Sequence, residues 1–68
     1  MNDKAEQIVD DFGFNLPNAA KQQMVDNVSQ GLKNKAQAEI IVRSLGVNVS
    51  GAVFNNMVKT VQDALNDS

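Results

Sequence analysis

The chain has no cysteine, histidine, tryptophan or tyrosine, and one proline among 68 residues. Without cysteine there are no disulfides, and without cysteine and histidine the common zinc sites are excluded. A chain this short sits near the lower limit at which a hydrophobic core alone sustains a fold. Close helix packing or oligomerisation must therefore supply the stability that staples give other small folds. Long apolar stretches are missing too: the longest run is three residues, as in Ile40 to Val42. A membrane-spanning helix needs about 20 apolar residues, so none is expected. The start, "MNDKAEQ", has neither the basic residues nor the apolar stretch of a signal peptide. A cytoplasmic location is the expectation.

Basic residues are few and scattered: six against eight acids, for a net charge of −2. Duplex binding depends on phosphate neutralisation by clustered Lys and Arg, which this distribution does not offer. What is present is a hydrophobic fraction of 43% with three aromatics, an aliphatic core in prospect.

That core is written twice. Residues 4–32 laid over 37–65 match without a gap at 11 of 29 positions, where ordinary residue usage gives roughly two. "AEQIVDDFGFN" from Ala5 pairs with "AEIIVRSLGVN" from Ala38, and Ala19, Met24, Val25, Val28 and Leu32 recur as Ala52, Met57, Val58, Val61 and Leu65. An internal duplication with a 33-residue period follows.

Each copy reads as a helical hairpin. Ala5, Ile8, Val9 and Phe12 fall on one helix face at i, i+3, i+4, i+7. Gly13 and Gly46 sit where a left-handed residue would end the helix, followed by Phe14 or Val47 for the apolar contact of a Schellman motif. The second helices start near Pro17 and Ser50. Ala20, Met24, Val25, Val28 and Leu32 form one stripe, and Val53, Met57, Val58, Val61 and Leu65 form the other. "GLKNK" at 31–35 joins the copies, with Asn34 a cap for the third helix.

The expected fold is all-α: hairpins over 4–32 and 36–66, packed as one pseudo-two-fold four-helix domain. Its core should hold Ile8, Val9, Phe12, Met24, Val28, Leu32 and their mates Ile41, Val42, Leu45, Met57, Val61, Leu65. Helical solenoids share the period, but neither tetratricopeptide nor ankyrin signatures are present.

No catalytic constellation is legible. The serines (29, 44, 50, 68) have no base at a recognisable spacing, and the adjacent Asp10 and Asp11 point about 100° apart on a helix. No calcium-loop spacing occurs. The expectation is a non-enzyme without cofactor, metal or small-molecule substrate.

Candidate contact residues come from position and from differences between the copies. Asp10 and Asp11 occupy a last helical turn, where the macrodipole disfavours negative charge. They read either as a solvated pair or as an acidic contact patch. The mate of Asp10 is Arg43, which suits that position. Residues 1–32 carry five acids and two bases, net −3, and residues 33–68 carry three acids and four bases, net +1. Where copy one has Gln7 and Lys21, copy two has Ile40 and Phe54. Paired positions in a pseudo-symmetric fold share burial, so Ile40 and Phe54 read as partly exposed apolar residues, or as residues buried in copy two alone. Exposed apolar patches mark partner sites. The preferred function is a protein-interaction or assembly module, with a homodimer through Ile40, Phe54, Asp10, Asp11 and Arg43, and Phe54 as its central contact.

The competing class is a nucleic-acid-binding domain of helix-hairpin-helix type. "GFNLPN" lacks that family's second glycine, and "GVNVSG" places Gly51 beyond its Gly-x-Gly spacing.

"AEIIVRSLGVNVSGAVFNNMVKTVQDALND", Ala38 to Asp67, also resembles the C-terminal segment of phage holins of the LL-H type. Both have a short amphipathic helix, a glycine, an apolar–polar–apolar–Ser turn and a second helix. Residues 5–32 follow the same order less closely. The family's N-terminal membrane anchor has no counterpart in these 68 residues. The resemblance implies a phage or mobile-element source in a Gram-positive host, and no chemistry.

Overall fold

The computed structural model describes residues 3–67, so the first two residues and the serine at 68 lie outside it. All the regular structure among the described residues is helical: α1 (Asp3–Phe12), α2 (Asn18–Lys33), α3 (Ala38–Ser44) and α4 (Gly51–Asn66). α1 packs on α2 and α4, and α3 packs on α4 and α2. The four helices thus close a ring around one core, in a body measuring 27 × 26 × 17 Å.

Several helix boundaries have a visible local cause. Gly13 and Gly46 adopt φ of +77° and +68°, and their amides donate to the Asp10 and Arg43 carbonyls at 3.1 and 3.2 Å. Only glycine takes that left-handed turn without a Cβ penalty, so α1 and α3 stop there. Pro17 precedes α2 in an extended conformation, and its carbonyl accepts the first helical bond from the Lys21 amide at 2.9 Å. Ser50 caps α4 through its hydroxyl, which accepts from the Val53 amide at 3.3 Å.

The α2–α3 junction departs from the expectation that Asn34 caps the third helix. Gln37 precedes α3, and Asn34 instead closes α2. The chain reverses at Lys35, whose amide donates to the Leu32 carbonyl while that of Ala36 donates to Gly31. This bond pair is a Schellman motif with lysine in the glycine position, and Lys35 has φ +58°.

The core contains Ile8, Val9, Met24, Val28, Ile41, Val42, Met57 and Val61, all expected, together with Ala5, Val25 and Ala38. Phe12, Leu32, Leu45 and Leu65 are only half-buried, packed against the cluster from its edge. Phe12, Leu32 and Leu65 sit in the last turn of their helices, and Leu45 just past the end of α3. Ala5 and Ala38 lie deeper because a small side chain lets helices approach. No polar or charged side chain is buried among the described residues.

Candidate protein-contact surfaces

The five candidate contact residues fall on two surfaces. Asp10 and Asp11 belong to α1, in the first hairpin; Ile40 and Arg43 belong to α3 and Phe54 to α4, in the second.

On the second hairpin, Ile40 and Arg43 are three residues apart and share a face of α3. Ile40 is 55% exposed, the one large hydrophobic side chain so open among the described residues. Arg43 leans across to α4, with its guanidinium carbon 5.4 Å from the Phe54 ring centroid. It also pairs with Glu39 one turn back, Nε to Oε2 at 3.5 Å. Phe54 is half-buried, packed on the core and roofed by Arg43. The open apolar centre of this surface is therefore Ile40.

On the first hairpin, Asp10 accepts a charged hydrogen bond from Lys21 across α1 and α2 at 2.8 Å, with both side chains partly exposed. That hydrogen bond, then the attraction of the Asp10 charge, raises the Lys21 ammonium above its ordinary value of 10.5. Asp11 accepts from the Gln7 amide at 3.0 Å. Both carboxylates of the unfavourable last turn thus have a donor at hand.

Matched positions make different contacts of the same reach. Positions 10 and 21 form an ion pair, and their mates 43 and 54 form a cation–π contact. Lys21 was the residue that sequence reasoning overlooked as a partner for Asp10. The signal was present, because the two positions change together between the copies: Asp with Lys, Arg with Phe.

A second feature involves only Asp11 of the candidates. A groove of about 790 Å³ runs between α1 and the C-terminal end of α4. Ile8 and Ala64 lie along it, with Lys4, Asp11, Asp63 and Asp67 among its polar residues. Three carboxylates against one ammonium give these charges a net of −2. At the matched α2–α3 crossing Gly31 replaces Ala64, and a Cβ there would stand 2.6 Å from Ile41 Cγ1. That crossing is closed tight.

Among the described residues no three carboxylates gather closely enough to hold a metal ion, and no helix is long and apolar enough to cross a membrane. No protein-family model matches the chain, and comparison with curated proteins and with solved structures gives no match.

Proposed function

We propose that this chain is a non-catalytic assembly module that works by protein–protein contact, and that its first partner is a second copy of itself. The observation carrying the reading is Ile40. Every other large apolar side chain among the described residues is buried or half-buried, whereas Ile40 stands open beside the cationic Arg43. Its matched position, Gln7, is an exposed polar residue, so helix formation there does not require an apolar side chain. An open branched apolar side chain beside an arginine, a residue type enriched at interfaces, supports the reading. The likeness of Ala38–Asp67 to the LL-H-type holin segment supports an origin in a phage or mobile element. The matched halves support an origin by duplication.

Sedimentation of the wild type and Ile40→Gln tests the reading. The wild type should self-associate, to a dimer or beyond, as concentration rises, and Ile40→Gln should be monomeric with unchanged helical circular dichroism. A wild type that stays monomeric up to about millimolar concentration overturns self-association. A low-salt gel shift decides against the competing class: micromolar nucleic-acid binding that weakens steeply with salt would replace the assembly reading.

A further inference from the structure

We infer that copies of this chain meet head to tail, the α2–α3 turn and the Ile40 face of one copy docking into the α1–α4 groove of the next. The inference rests on the self-association proposed above and specifies its geometry.

The first observation is Lys35. α1 and α3 both end on a left-handed glycine, while α2 ends on a left-handed lysine at φ +58°. An L-residue there costs stability that glycine would spare. The lysine therefore opposes the fold locally, as residues kept for contact commonly do. Lys33 and Lys35 are both exposed, and neither joins an ion pair among the described residues. Ile40 follows in the first turn of α3, so a double positive charge and the open apolar side chain lie within eight residues of chain.

The second observation is the groove. Asp11, Asp63 and Asp67 outnumber Lys4 there and likewise have no basic partner among the described residues. Ala64, half-buried, gives it an apolar contact for a branched side chain, above the buried Ile8. The charges match in number and oppose in sign: +2 on the turn and −2 in the groove. A surface of one kind meeting a surface of another is a heterologous contact, which grows beyond a dimer unless the rotation happens to close. An isologous dimer centred on Ile40 would instead bring that residue against its own copy.

Charge reversal tests this with the full chain. K33E/K35E turns the tip from +2 to −2, and D63K/D67K turns the groove from −2 to +2. Each variant alone should self-associate at least about tenfold more weakly than wild type in low-salt sedimentation, and an equimolar mixture should recover association. Circular dichroism of each variant guards against unfolding. The new lysines lie at the end of α4, where the helix dipole favours positive charge. The wild type should pass beyond dimer mass as concentration rises, and about 0.5 M salt should weaken it. If both variants associate like wild type, or if the mixture stays apart, the head-to-tail geometry is wrong and Ile40-centred pairing survives. A monomeric wild type removes both.

Discussion

Lys35 and the two glycines at 13 and 46 pose the same backbone problem with different residues. A left-handed conformation costs an L-residue about 1–2 kcal/mol, while a glycine returns about 0.4–1 kcal/mol through the freedom of the unfolded chain. Lys35→Gly should therefore raise stability by about 1 kcal/mol, seen as a higher urea midpoint with unchanged slope. Gly13→Ala and Gly46→Ala should each lower it by about 1 kcal/mol, purely through the backbone, because an added Cβ meets nothing within 4 Å at either site. If Lys35→Gly fails to stabilise, the side chain must repay its backbone within the monomer, and its retention for a partner loses its basis. Lys21 gives a pH signature of opposite character. Its ammonium is held more tightly in the folded chain than in the unfolded one. The contribution is complete below the unfolded value of 10.5 and disappears as pH rises through the higher folded value. Lys21→Gln should thus lose a small increment of thermal stability at neutral pH, and the gap to wild type should shrink as the solution is made strongly alkaline. The pair is partly exposed, so salt should narrow the gap as well.

The helices themselves were largely readable, and the reason is visible in α1. Ala5, Ile8 and Val9 are buried at the spacing that predicted them, and Gly13 stops the helix in the conformation that its position implied. The α2–α3 junction was not readable, because its stop is a lysine and no composition rule marks lysine as a left-handed residue. Asn34, the obvious candidate cap, closes the preceding helix instead. The contact surfaces were legible in part. Ile40 was marked by its mismatch with Gln7, but Phe54 is half-buried by packing against the core and lies under Arg43 from another helix, a geometry outside any linear pattern. The groove was invisible for the same reason: Asp11 and Asp63 come together only through the α1–α4 crossing. Gly31 controls the opposite crossing. Replacing it with alanine should gain about 1 kcal/mol in helix propensity. Overpacking against a side chain as confined as Ile41, 1% exposed, costs about 1–3 kcal/mol. Gly31→Ala should therefore be neutral to destabilising by about 2 kcal/mol, where an unconfined glycine would show a clear gain. A stabilised variant in urea unfolding would mean that α2 and α3 can separate at little cost.

At the scale of the whole molecule, neither hairpin has a core of its own. Val28 and Val61 are both fully shielded, and the core cluster draws on all four helices. α3 has seven residues, too few to persist as a helix without packing, and α1 has ten. Severing the chain in the 33–37 turn would expose the buried face of each half to water, and chains below about 40 residues seldom fold without staples. The expected outcome is that peptides 1–34 and 35–68 are each largely unstructured alone, with weak helical circular dichroism and narrow amide dispersion. The intact chain should unfold in a single transition, with the amides of α2 and α4 exchanging at the same global free energy. A hairpin that melts cooperatively in isolation would make this a tandem of two small domains. The α1–α4 groove would then be a seam between independent units, open to displacement by a neighbour's hairpin through domain swapping. Full-length protein that instead loses both hairpins together leaves the groove as part of a rigid body, which is the state that head-to-tail docking of the Lys35 turn requires.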